Sequence, residues 1–144
     1  MTDSDLQAIC DRWDITFHPD GREAVTNPDP QVFVERSFSA GDEIFMGQYA
    51  DPERRLLAFF HELGHCVTWM QNEIPVFEAC PYYHYPEALA WKRGIELAAE
   101  HGVTFTPESL AWARKELTSY FGDGSPEKTP LRFLEAAFRD AGLE

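Results

Sequence analysis

The feature that most constrains this chain is a His-Glu-x-x-His pattern, made by His61, Glu62 and His65 inside an apolar stretch at residues 55–69. Residues four apart share one face of an α-helix, so the two imidazoles can bind a single metal ion. Glu62 lies one residue further round, where it can stay off the metal and hydrogen-bond a water held by the ion. The pattern therefore predicts a zinc-binding helix that carries its own general base.

Local sequence signals predict where this helix begins and what surrounds it. Asp51 before Pro52 is typical of a helix start, so the metal helix is expected to run from about residue 52 to 71. Capping residues and apolar spacing predict four more helices, at about 2–13, 86–101, 107–121 and 130–141. The chain is thus predicted to be mainly helical around the metal helix.

A short sheet is predicted upstream of the metal helix. Residues 32–38 and 43–49 are rich in β-branched and aromatic side chains and are separated by turn residues, which indicates an antiparallel hairpin. Residues 15–17 could add a third strand, and an exposed strand edge could accept an extended peptide across the metal helix. The expected fold is one α+β domain over residues 1–144, with an antiparallel sheet beside the metal helix and additional C-terminal helices.

A catalytic zinc needs a third protein ligand. Thr68 and Gln71 stand where a metzincin would have Gly and His, so that ligand must come from another element. Glu87 is the favoured candidate, because it opens the next long helix, from which a first-turn side chain can point back at the metal helix. His84 in the preceding loop is the competing ligand, or else a contact to the substrate or transition state. Weaker alternatives for the ligand are Glu73 and Glu78.

Composition excludes some functions. The net charge is −13, and residues 1–53 hold 12 acidic against 3 basic residues. This argues against binding nucleic acid through a basic surface. No apolar run of 18 residues exists, and the N-terminus is acidic where a signal peptide would be basic, so a cytoplasmic protein without membrane contact is expected.

The cysteines and tryptophans are predicted to be structural. Three scattered cysteines do not form a disulfide framework or a paired zinc motif, so reduced and at least partly buried thiols are expected. These are Cys10, Cys66 and Cys80. The core is expected to include Trp69, Trp91 and Trp112.

The chain resembles a known family around its metal helix. His61-Glu62-Leu63-Gly64-His65, followed about twenty residues later by Glu87-Ala88-Leu89-Ala90-Trp91, resembles the ImmA/IrrE-type zinc metallopeptidases and small phage or prophage proteins that share their core. In that family, a His-Glu-Leu-Gly-His helix is followed by Glu-x-x-Ala-Asn. The resemblance covers about residues 32–101. It implies a zincin-like fold, a Zn²⁺ cofactor and Glu87 as the third zinc ligand, while Trp91 replaces the Asn of the family pattern.

Two functions follow as hypotheses. The first is a zinc-dependent peptidase that cuts a specific cytosolic protein, with Glu62 as general base. Its oxyanion would be stabilised by His84 or by one of three tyrosines, Tyr82, Tyr83 and Tyr85. The second is a non-proteolytic, zinc-stabilised interaction protein, such as a phage-encoded inhibitor or anti-defence protein, which acts through its acidic surface.

Overall fold

Helices and one small sheet make up the architecture. The computed structural model describes residues 1–25, 29–72, 85–119 and 131–143. Within these ranges there are six helices: α1 (Asp3–Arg12), α2 (Gly21–Ala24), α3 (Pro52–Gln71), α4 (Tyr85–Glu100), α5 (Pro107–Thr118) and α6 (Leu131–Asp140). The strands are β1 (Thr16–His18), β2 (Phe38–Ala40) and β3 (Glu43–Phe45). This confirms the predicted α+β class, and the five predicted helices are present with ends that differ by up to about three residues.

Helix α3 forms between the predicted ends because of its caps. The Asp51 carboxylate accepts a hydrogen bond from the Glu53 amide at 2.9 Å, and Pro52 occupies the first helical position. Both features satisfy or remove backbone donors that have no partner within a helix. At the other end, Asn72 adopts the left-handed conformation with φ of 49°. The helix is buried along its middle, which makes it the central element of the domain.

The sheet is mixed, whereas an antiparallel sheet was predicted. Its strand order is β1-β3-β2. β2 and β3 form the expected antiparallel hairpin, with Phe38 opposite Phe45. β1 pairs with β3 in parallel, with Phe17 opposite Ile44. A parallel pair needs a long connection, and here it is supplied by the segment between Gly21 and the hairpin.

The first strand of the predicted hairpin is also misplaced. Much of segment 32–38 is not a strand, because a 3₁₀-helix occupies Pro30–Phe33. The Asp29 carboxylate caps it by accepting a hydrogen bond from the Gln31 amide at 3.0 Å, and Pro30 favours a helical start. Glu35 then bends the chain at a φ of 48°. As a result, β2 begins only at Phe38 and includes residues 39 and 40, which were predicted to be in the turn.

The predicted environments of the tryptophans and cysteines are partly right. Trp91 is buried and Trp112 is partly buried, but Trp69 is 62% exposed, so the prediction that it belongs to the core is wrong. It packs over Gly41 in the β2–β3 turn, whose positive φ of 60° suits glycine. Cys10 and Cys66 are free and buried, as predicted, and burial raises the pKa of each thiol to about 12. Cys80 lies outside the described residues.

Helices α3 and α4 cross in direct backbone contact, and two glycines permit it. A Cβ on Gly64 would lie 2.9 Å from the Ala90 carbonyl carbon, and one on Gly94 would lie 2.8 Å from the Phe60 carbonyl carbon. Both distances are shorter than real Cβ atoms adopt, so only glycine fits at these positions. This close crossing carries the first turn of α4 to the face of α3 that bears the two histidines. None of the helices in the described ranges has the length and apolar character needed to span a membrane.

Candidate metal centre

Three side chains from the two crossing helices converge. Nε2 of His61 lies 3.0 Å from Oε2 of Glu87, and Nε2 of His65 lies 3.1 Å from Oε1 of the same carboxylate. One ligand atom from each residue can be chosen so that all three lie within 4.8 Å of one another. The two histidines are one helical turn apart on α3, and Glu87 is in the first turn of α4. These residues could therefore hold a metal ion.

The Glu87 carboxylate provides a test of whether the group suits a metal. Its Oε2 is buried and makes no hydrogen bond within the described part of the chain, although His61 Nε2 is only 3.0 Å away. Nε2 of His61 and Oε2 of Glu87 are thus close together without an aligned N–H between them. A buried carboxylate oxygen without a donor is unfavourable unless a cation compensates it. Two imidazole nitrogens and one carboxylate oxygen fit a zinc site that keeps its fourth position open.

The charges in this group are strongly coupled. Burial alone would raise the pKa of Glu87, but the two adjacent imidazoles outweigh it and hold that pKa well below its ordinary value. Burial likewise opposes protonation of His65, yet the carboxylates of Glu87 and Glu62 raise the pKa of its imidazole. The site thus attracts positive charge even in the absence of a metal, as expected for a cation-binding centre.

The group lies in a cleft of about 440 Å³. Glu62 is only 8% exposed and lines this cleft beside His61. The cleft wall also includes residues 35–39, which lead into and form most of β2. Strand β2 pairs with β3 on one side, and in the described ranges its other edge has no strand partner. Among the described residues, an edge of β2 without a strand partner therefore contributes to the cleft wall, and its use by an extended peptide stays a prediction.

Sequence reasoning missed a tyrosine that shares this cleft. The Tyr49 hydroxyl lies 3.0 Å from Ser37 Oγ, and Ser37 Oγ accepts a hydrogen bond from the Gly47 amide at 3.0 Å. Burial and, to a lesser extent, the nearby carboxylates of Glu62, Glu116 and Glu35 raise the pKa of Tyr49 to about 12, although the hydrogen bond with Ser37 lowers it. No local pattern could have identified Tyr49, because the hydroxyl and carboxylates near its phenol belong to residues that are distant in the sequence.

Helix α5 supplies the far wall of the cleft. Trp112 and Glu116 line it, and the Trp112 ring is edge-on to both Tyr49 and Trp91 at centroid distances of 6.3 and 6.2 Å. The Arg54 guanidinium lies 5.8 Å above the Trp112 ring and 3.5 Å from the Glu35 carboxylate. α5 is held to the start of α3 through its own cap, since Thr106 and Ser109 both donate hydrogen bonds to Glu53.

Several predicted site residues lie outside the described residues. They are the competing ligand or catalytic residue His84, the tyrosines Tyr82 and Tyr83, the Tyr85 side chain, and the weaker ligand candidates Glu73 and Glu78. Their predicted roles stay predictions.

Comparisons with models of known protein families, with curated proteins and with solved structures found no match to this chain. The resemblance to the ImmA/IrrE-type peptidases therefore rests on the two sequence motifs that carry it, residues 61–65 and 87–91.

Proposed function

We propose that this protein is a zinc-dependent metallopeptidase with a zincin-like site, which hydrolyses a peptide bond in a protein substrate. The observation that carries the proposal is the position of Glu62. This buried carboxylate lines the same cleft as the His61, His65 and Glu87 donor group, yet it does not belong to that group. A metal-ligand set with a separate carboxylate beside it supports hydrolysis better than a purely structural zinc, which would fill all four positions with protein ligands.

Each residue of the centre has a proposed role. His61, His65 and Glu87 would hold the zinc ion, which when bound polarises a scissile carbonyl and lowers the pKa of water to about 7. Glu62 would accept a proton from the attacking water and deliver it to the leaving amine. Because Glu62 is buried, bulk water is kept away from its carboxylate, and the accepted proton is not lost to solvent before it reaches the amine.

Tyr49 is the described residue best suited to stabilise the oxyanion. Ser37 Oγ already accepts a hydrogen bond from Gly47, so the Ser37 hydroxyl can donate to Tyr49 and leave the phenolic proton for the cleft. The raised pKa of about 12 keeps the phenol protonated at neutral pH. A positioned hydroxyl donor of this kind stabilises the negative charge that develops during acyl transfer.

The cleft favours an extended and basic polypeptide. The free edge of β2 offers main-chain donors and acceptors to an added strand. The cleft is lined by one arginine, Arg36, and by four carboxylates, which are Glu35, Glu62, Glu87 and Glu116. With zinc bound, Glu62 and Glu87 would be at the metal centre, Glu35 already pairs with Arg54, and Glu116 would remain for substrate. We therefore expect a lysine- or arginine-containing segment in the substrate.

Comparison of zinc-loaded wild type with Glu62→Gln tests the proposal. Each protein is incubated with a bacterial extract, and new protein N-termini are identified by terminal labelling and mass spectrometry. We expect cleavages with wild type and none with Glu62→Gln at equal zinc content. Glu108→Gln, an exposed change on α5 outside the cleft, is the matched control and should cleave like wild type.

Identical N-termini for wild type and Glu62→Gln would contradict the proposed peptidase. The alternative, a zinc-stabilised interaction protein, is favoured by the exposed acidic residues of α1, Asp3, Asp5 and Asp11. This alternative predicts a partner protein that wild type and Glu62→Gln bind equally well and do not cleave.

A further inference from the structure

Trp91 packs directly against one of the candidate metal ligands. Its ring centroid lies 4.0 Å from that of the His61 imidazole, and the two planes are inclined by 32°. Trp91 follows Glu87 by one turn of α4, so both side chains lie on the helix face that meets α3. It is only 3% exposed, and the close α3–α4 crossing fixes its backbone. The imidazole of His61 is therefore held by an aromatic face.

The other nitrogen of His61 meets no acceptor among the residues that the structure describes. Nδ1 is buried, and no group in the described part of the chain hydrogen-bonds to it. A metal-binding histidine ordinarily donates its second N–H to a carboxylate, carbonyl or water, which orients the ring and makes the ligating nitrogen more basic. The Trp91 indole cannot fill this role, because it has a donor and no acceptor.

We infer that Trp91 positions His61 for the metal by ring packing in place of a hydrogen bond. Loss of the aromatic face should therefore leave the imidazole free to rotate and should weaken zinc binding. This inference rests on the proposed function only in taking His61, His65 and Glu87 as the ligands, and it does not depend on peptide hydrolysis.

Zinc affinity of the full-length chain tests the inference. The dissociation constant is measured by competition with a fluorescent chelator for wild type, Trp91→Phe, Trp91→Leu and Trp91→Ala. Trp91→Phe keeps an aromatic face and should bind zinc within about threefold of wild type. Trp91→Leu and Trp91→Ala remove the aromatic face and should bind at least about tenfold more weakly than wild type.

Two controls separate positioning from a general loss of packing. Trp112→Ala removes a second tryptophan from the same cleft, one that contacts the Trp91 ring, and it should bind zinc within about threefold of wild type. Nitrogen-15 NMR of the histidine rings should show the His61 signals shifted by zinc in wild type and Trp91→Phe at a zinc concentration that leaves them unshifted in Trp91→Leu. A purely structural role for Trp91 would not produce that difference.

Wild-type affinity in Trp91→Leu or Trp91→Ala overturns the inference. Trp91→Leu and Trp91→Phe keep the test decisive if Trp91→Ala does not fold. Absence of zinc binding by the wild type would overturn the proposed function together with this inference. Normal zinc binding by Trp91→Ala would overturn this inference alone.

Discussion

Gly94→Ala should move Glu87 away from the two histidines of the metal centre, although it replaces none of the three candidate ligands. The new Cβ would lie 2.8 Å from the Phe60 carbonyl carbon and 3.2 Å from the His61 amide nitrogen. Ordinary contacts begin at 3.4 Å, so α4 would have to move away from α3 by at least about 0.6 Å. Metal–ligand distances tolerate about 0.2 Å. The shift therefore exceeds what the Glu87 carboxylate can absorb without leaving its place beside the histidines.

We expect two effects of Gly94→Ala. Zinc affinity, measured by chelator competition, should fall by about tenfold or more, as for other changes that misplace a metal ligand. Overpacking of this kind also lowers the free energy of unfolding by about 1–3 kcal/mol, which urea denaturation of the zinc-free protein measures.

Gly102→Ala is the matched control because it separates these two effects. Gly102 follows the end of the same helix at a φ of 73°, and nothing lies within 4 Å of a Cβ placed there. Alanine is strained in that conformation, so stability should fall by about 1 kcal/mol while zinc affinity stays unchanged. Our reasoning is refuted if Gly94→Ala binds zinc as tightly as wild type, or if Gly102→Ala weakens zinc binding equally.

Three further predictions follow from the centre and its cleft. Glu87→Gln should weaken zinc binding at least about tenfold in chelator competition while His84→Ala leaves it unchanged; the reverse result would make His84 the third ligand. In the zinc-free protein, the raised pKa of His65 stabilises the fold below about pH 6.5, and this stabilisation is lost as the pH rises through the raised pKa. The lowered pKa of Glu87 stabilises the fold above about pH 4.5, and this stabilisation is lost in acid. The melting temperature should thus be highest between these two pH values, and a melting temperature that keeps rising to pH 9 would contradict the pairing. Glu116→Lys should weaken binding of a lysine-rich peptide to zinc-loaded Glu62→Gln protein by about threefold to tenfold in fluorescence anisotropy, whereas Glu108→Lys, with the same change in net charge, should not; equal weakening would show that only net charge matters.

Sequence reasoning worked best where a local rule decides the structure. The start of α3 follows from Asp51 and Pro52, which act on their immediate neighbours. The spacing of His61 and His65 likewise fixes their common face. That Glu87 lies beside both histidines was expected from its place in the next helix and is observed, but its role as a ligand remains a proposal.

The sheet was harder to predict because strand pairing depends on distant residues. The segment 32–38 has the composition of a strand, yet the Asp29 cap and the bend at Glu35 give it another conformation. The parallel partner of β3 is β1, and no local sequence pattern specifies that pairing. Trp69 shows the same limit, since its ring is exposed and lies over Gly41, which is far from it in the sequence.

The cleft was the least predictable part. Tyr49 belongs to it only because Ser37 and the carboxylates from α3 and α5 are brought around its hydroxyl. The contact between Trp91 and His61 requires the close crossing at Gly64 and Gly94. Neither glycine suggests this in the sequence, because glycine in a helix is also compatible with many other contexts.

The most direct test of the central claim is the metal content of the purified protein. Elemental analysis of wild type should give about one zinc per chain, since two histidines and one carboxylate make a site of catalytic type. His61→Ala and His65→Ala should each lose most of that zinc while keeping a helical circular-dichroism spectrum. If both variants hold as much zinc as wild type, the metal binds elsewhere and His61, His65 and Glu87 are not its ligands.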